Sequence, residues 1–181
     1  LAGPRVLNND GAEQHSVSAR YPGHRHGEKD LGNLPGTIAC VMGACQIVRT
    51  PLLLSVGGFD EDFFLYGEDQ DLCLRIRKQG YEIGYIGDVV IMHHGGMSER
   101  NNPPAEIVRK KIRAEILFCE KHYYTKTLQS IRRYQRIRAL WRIFTIRLLL
   151  PFSLRKQSLL VKLSRYRVIF YEMGRSGKSG S

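Results

Sequence analysis

The apolar positions follow two different patterns, and the change between them falls near residue 104. From Ile38 to Arg49 the run IACVMGACQIVR is apolar with strand-like composition. Thr50-Pro51 then offers an N-cap and a proline at the first helical position, which predicts a short helix over residues 52 to 56, stopped by Gly57-Gly58. Residues 69 to 79 predict a longer helix. Leu72 and Ile76 share one face, acids open it, Arg75, Arg77 and Lys78 occupy its last turn, and Gly80 caps it, so both ends suit the helix dipole. Tyr81, Ile83 and Tyr85 alternate with Glu82 and Gly84, which predicts a strand, and VVIMHH after Asp88 predicts a second, buried one. Residues 39 to 98 therefore read as a mixed α/β block. The segment before it is rich in Gly, Pro, Asn, His and Ser, with an Asp-Gly turn signal in LNNDG, and little regular structure is expected before Leu34.

After Asn101-Asn102-Pro103-Pro104 the pattern becomes that of long helices. The first carries Val108, Ile112, Ile116, Cys119 and Tyr123 at spacings of three and four. The second, around residues 130 to 150, alternates Arg132, Arg133, Arg136, Arg138, Arg142 and Arg147 with Ile137, Leu140, Trp141, Phe144 and Leu148. No uncharged run reaches the roughly 20 residues a bilayer span needs. The closing GRSGKSGS reads as a disordered tail. Its resemblance to the end of a phosphate-binding loop is weak, because the leading Gly of that pattern would fall on Glu172. The expected organisation is a block at 1–104, a basic helical extension at 105–173 and a tail at 174–181.

Charge sharpens that division. Residues 1–104 hold 9 basic and 13 acidic side chains, whereas residues 105–181 hold 19 basic and 4 acidic, so two functionally different halves are expected. With 43% hydrophobic and 25% charged residues, wholesale disorder, a collagen-like repeat and a polytopic membrane protein are excluded. The four cysteines, at 40, 45, 73 and 119, form no CxxC and no short Cys/His spacing, so buried free thiols are expected rather than a zinc site. LAGPRVLNNDG has no basic segment leading into an apolar core. A secretory signal is not expected, and a reducing, cytoplasmic setting fits.

Two elements could carry chemistry. GGFDEDFFLYGEDQDLCLR, residues 57–75, interleaves six acids with Phe59, Phe63, Phe64 and Tyr66. Apolar neighbours partly desolvate carboxylates and tune them as bases or metal ligands. The plainer reading is that Asp69 and Asp71 cap a helix. IMHHGGMS, residues 91–98, places a His pair at the end of a strand before a Gly-rich turn, where α/β sites commonly lie.

The string GACQIVRTPLLLSVGGFDEDFFLYGEDQDLCLRIRKQGYEIGYIGDVVIMHHGGMS resembles the C-terminal half of the catalytic domain of family 2 glycosyltransferases with the GT-A fold, particularly the bacterial rhamnosyltransferase-like members. The resemblance covers about residues 36 to 98, and more weakly 1 to 35, where AGPRVLNNDG and Arg20-Tyr21-Pro22 look like the segment after the family's metal-binding strand. It implies an inverting transferase that passes a sugar, with rhamnose the candidate, from a nucleotide-sugar donor to a lipid-linked or polysaccharide acceptor in bacterial surface-glycan synthesis. In the Glu68-Asp69 pair, it implies Asp69 as general base and Glu68 on the acceptor side, with Gly67 leaving room for the acceptor sugar and Asp60 shaping its site. His93, followed by Gly96 and Ser98, matches a His-x-x-Gly-x-Ser pattern and would meet the diphosphate and a divalent Mg or Mn ion.

One departure stands out: the family's Asp-x-Asp metal ligand has no counterpart among Asp10, Glu13, Glu28 and Asp30. The implied fold is thus an incomplete GT-A domain lacking its N-terminal nucleotide-binding half, followed by basic amphipathic helices, and the fragment alone is expected to be inactive. The implied location is cytoplasmic, peripheral at the inner face of the cytoplasmic membrane, with an anionic membrane surface as partner. Two other classes stay open: a non-catalytic membrane- or nucleic-acid-binding module, though no nucleic-acid module is visible, and a metal-dependent hydrolase using Asp69, Asp71 and the His pair.

Overall fold

The computed structural model describes residues 1–95 and 102–175. They divide into two compact units, with the boundary after residue 100.

In the first unit the elements are strand β1 (Ala2–Leu7), strand β2 (Val17–Ser18), helix α1 (His24–Gly27) running into a 3-10 turn (Glu28–Leu31), strand β3 (Cys40–Val41), helix α2 (Thr50–Ser55), helix α3 (Glu68–Lys78) and strand β4 (Gly84–Met92). β1 pairs in parallel with β4, from Ala2 opposite Gly84 to Leu7 opposite Met92, while β2 and β3 pair antiparallel. β1 corrects the expectation of an irregular N-terminus. Gly3 and Pro4 hide it from strand propensity, yet Gly3 is what the packing requires: a Cβ there would lie 2.8 Å from Cβ of Val41.

Four further expectations are corrected. The strand predicted between Ile38 and Arg49 is mostly irregular, with only Cys40–Val41 and a bridge from Ile47 to Ala2 in ladders. The two strands predicted after Tyr81 are one. Its register jumps between Pro4 and Arg5, whose partners are Ile86 and Val90, so residues 87–89 are extra and the sequence pattern breaks there. Nor is β4 buried, since Val89, Val90 and Met92 are all exposed. At α2 the N-cap is Arg49 in extended conformation, and Thr50 lies inside the helix without capping it.

α3 forms as its pattern predicts, beginning and ending one residue earlier, with Gly80 at φ 86° just beyond its C-cap. Leu72, Cys73, Leu74 and Ile76 are fully buried and seat the helix against β3. Arg77, expected only to complement the dipole, is buried: Nε donates to the Pro35 carbonyl and Nη2 to that of Gly36, both at 2.9 Å, and the guanidinium lies over the Tyr21 ring. One side chain thereby pins the irregular segment before β3.

The second unit contains helices α4 (Pro104–His122), α5 (Thr125–Leu149) and α6 (Lys156–Gly174), with a 3-10 turn at Leu150–Phe152 after α5. α6 packs on both α5 and α4 around Ile112, Ala139, Ile169 and Met173. Glu172, where the phosphate-loop pattern would want a glycine, is buried on α6 and paired with Arg109 at 3.2 Å and Arg113 at 3.0 Å. The rest of the predicted tail, from residue 176, lies outside the described residues. No described helix is long and apolar enough to cross a membrane. All four cysteines are free, with Cys40, Cys73 and Cys119 buried and their thiols pushed up by burial to about 12, 11 and 12.

Candidate active site

The N-terminus of α3 is prepared by backbone geometry. Tyr66 and Gly67 both adopt left-handed φ, 69° and 87°. A left-handed tyrosine costs energy and persists only where its surroundings fix it. The two residues turn the chain so that Glu68, Asp69 and Asp71 fall in the first helical turn, where the free N–H groups and the dipole favour negative charge.

The three carboxylates then have three different fates. Asp71 is fully buried, accepting from Arg75 Nε at 2.7 Å, while the same guanidinium donates to the carbonyls of Val56 and, at 2.7 Å, Gly58. It is an anchor between α3 and the end of α2, so its charge is committed. Asp69 is half-buried. Its Oδ2 accepts from the Gly43 N–H at 3.0 Å and its Oδ1 from the Gln70 N–H at 2.8 Å. Burial raises its pKa above the ordinary 3.8, against the pull of those two bonds. Each oxygen keeps a second lone pair, so Asp69 is a held carboxylate that can still accept a proton. Glu68 is also raised above its ordinary 4.5, by burial first and by the neighbouring Asp69 charge, and its Oε2 is buried with no hydrogen-bond partner.

Around them, Asp60 folds its own turn, with Oδ1 accepting from the Asp62 N–H at 3.0 Å. Phe63 is buried beneath this loop while Phe64 is 93% exposed. Gly43 is the residue that the sequence pattern did not single out: a Cβ there would sit 3.4 Å from Cβ of Asp69, so its lack of a side chain lets the backbone amide approach the carboxylate.

His93 follows β4, and its bonds run to the β1 side rather than to α3. Its N–H donates to the Leu7 carbonyl at 2.9 Å, and Gln14 Nε2 donates to its carbonyl at 2.8 Å. The second contact fixes the Gln14 amide, leaving Oε1 3.2 Å from His93 Nδ1. A hydrogen on Nδ1 would satisfy that contact, and Nε2 would then be the nitrogen open to a metal. His94 is exposed. Gly96 and Ser98 lie outside the described residues. Among the described residues no three of His, Cys, Asp and Glu converge on one metal position, so the hydrolase ligand set does not assemble, and Asp71 is already held by Arg75.

The profile of glycosyl transferase family group 2 matches residues 8–173. An N-acetylglucosaminyl-diphospho-decaprenol L-rhamnosyltransferase of Mycobacterium tuberculosis is 31% identical over 85 residues, 47% of this chain and 28% of that protein. The rhamnosyltransferase WbbL of Escherichia coli is 28% identical over 95 residues, 52% of this chain and 34% of the relative. The O-antigen biosynthesis protein RfbC of Myxococcus xanthus is 38% identical over 60 residues, 33% of this chain and 5% of that protein. The matched segments thus span at most 34% of the length of these relatives. No solved structure matches the chain. With its profile match running across both units, the chain belongs to glycosyl transferase family group 2.

Proposed function

We propose that the intact protein transfers a sugar from a nucleotide-sugar donor to a hydroxyl of a lipid-linked or polysaccharide acceptor, with inversion at the anomeric carbon, in bacterial surface-glycan synthesis. The family implies a GT-A fold, and the mixed α/β first unit with its small parallel sheet accords with one. Relatives named as rhamnosyltransferases make rhamnose the candidate sugar.

The observation that carries the reading is the Asp69 carboxylate, held by two backbone amides and partly desolvated. In the proposed step a lone pair of Asp69 takes the acceptor hydroxyl's proton as that oxygen bonds to the anomeric carbon. The bond from that carbon to the diphosphate breaks, and the nucleoside diphosphate leaves with its electron pair. A carboxylate pKa raised by burial brings the base closer to neutrality, where general-base catalysis is most effective. On the acceptor side we place Glu68, with Gly67 leaving the backbone bare beside it and Asp60 shaping the acceptor site. For a divalent Mg or Mn ion His93 fits as a single ligand, through Nε2. Such an ion would neutralise charge on the departing diphosphate. The setting we propose is the inner face of the cytoplasmic membrane, where a lipid-linked acceptor is reached.

Asp69→Asn in the intact protein tests this. Turnover falls about 100-fold to 10,000-fold while donor affinity is unchanged, because the amide keeps the size and loses the basicity. In the parent protein turnover rises with pH through the raised Asp69 pKa. Retention of most turnover by the variant would leave Asp69 as a helix-end carboxylate only.

A further inference from the structure

Helix α5 is apolar on two opposite faces, and unit two covers one of them. Ile131, Ala139 and Ile146 are buried in the helical unit. Half a turn away, Ile137, Trp141, Phe144 and Leu148 follow one another at spacings of four, three and four, and all are 60–63% exposed. Leu140, 50% exposed, widens the stripe. An apolar stripe of this length on an exposed helix marks an interaction surface.

Where the stripe approaches the start of α5, a groove of about 430 Å³ opens between α5 and the end of α6. Its apolar lining includes Ile137, Leu140, Phe170 and Met173, and its rim carries Arg132, Arg133, Arg136 and Arg175. Arg132 is paired with Glu120 at 2.7 Å, and its Nε is buried without a hydrogen-bond partner. Arg136 is stacked 5.0 Å over the Phe170 ring, and neither it nor Arg133 has a carboxylate partner among the described residues. Glu106 and Glu172, two of the four acids in residues 105–181, are taken up by Arg109 and Arg113. The groove therefore holds uncompensated positive charge directly beside exposed hydrocarbon.

We propose that this surface docks on an anionic bilayer, the stripe entering the boundary between headgroups and acyl chains and the arginine groove taking a lipid phosphate. Charge and shape both select that occupant. Guanidinium groups bind phosphate oxygens in a planar fork. Leucine and isoleucine side chains gain by leaving water for acyl chains and gain nothing from nucleic acid, whose bases stack only on rings.

Trp141 is the only tryptophan of the chain and stands in the stripe, so it reports the event directly. The experiment titrates the full chain with vesicles of phosphatidylcholine alone or with phosphatidylglycerol, reading Trp141 emission and its quenching by brominated acyl chains. Anionic vesicles blue-shift and quench the emission, neutral vesicles do neither, and 0.5 M salt weakens the response. Each arginine near an anionic surface contributes about fivefold in affinity, so Arg133→Gln with Arg136→Gln loses about 25-fold with an unchanged circular dichroism spectrum. Trp141→Ser with Phe144→Ser, followed by co-sedimentation, loses binding as well. An unshifted emission, equal response to neutral vesicles, tighter binding to single-stranded DNA, or a blue shift caused by self-association without lipid would each overturn the proposal. None of these readouts involves sugar transfer, so vesicle docking can fail while the transfer reading stands.

Discussion

The two units use arginine in opposite ways. In the first, which carries 9 basic and 13 acidic residues, Arg75 and Arg77 are turned inward and spend their donors on backbone carbonyls of Val56, Gly58, Pro35 and Gly36. These carbonyls belong to irregular chain with no ladder partner, and a buried carbonyl left unbonded is costly. In the second unit the helices satisfy their own backbone, so arginines are free to pair with Glu172, lie over aromatic rings or face solvent. The lesson is that irregular structure around a site is held by a few polar anchors, whereas regular helices leave their charge available for the surroundings. Single substitutions should therefore damage the first unit more than the second.

Asp71→Ala tests the larger side of that contrast. It leaves the Arg75 guanidinium, largely buried, facing two carbonyls without its carboxylate. Breaking a fully buried pair typically costs 3–5 kcal/mol, and the partial exposure of Arg75 reduces that here to about 2–3 kcal/mol. Urea unfolding followed by amide exchange on α3 measures it. Glu172→Ala is the counterpart in the helical unit. Its partners Arg109 and Arg113 are 36% and 52% exposed and rehydrate when released, so the loss is about 1–2 kcal/mol, read from exchange on α6. If Glu172→Ala proves the more damaging, the contrast between anchored loops and self-sufficient helices is wrong.

What the sequence revealed follows the same division. α3, α4 and α5 are legible because caps, dipole charges and a period of 3.6 are local signals, and each survives in the structure. β1 is not, because its strand character comes from β4, 82 positions away at Ala2–Gly84, and from the space Gly3 leaves for Val41. The site divides likewise. From the helix start Asp69 reads only as a cap, and the family resemblance is what singles it out, whereas the Gly43 amide and the Gln14 clamp on His93 come from 26 and 79 residues away and leave no mark in spacing. Arg75 and Arg77 fit a dipole pattern so well that their real employment was hidden by it.

The smallest effect concerns Glu68, where the first unit carries an anchor that was never supplied. Its Oε2 is buried without a donor, and burial together with the Asp69 charge raises its pKa above 4.5. The folded protein then binds this proton more tightly than the unfolded chain does. Stability is lost as pH rises from 4.5 through the folded pKa, and at neutral pH the ionised group is a standing cost. Glu68→Gln removes the charge and keeps the shape. It should melt higher than the parent at pH 7, with the difference shrinking as pH falls toward 4.5, in paired thermal scans. Parallel melting curves at both pH values would mean that solvent reaches Oε2 freely.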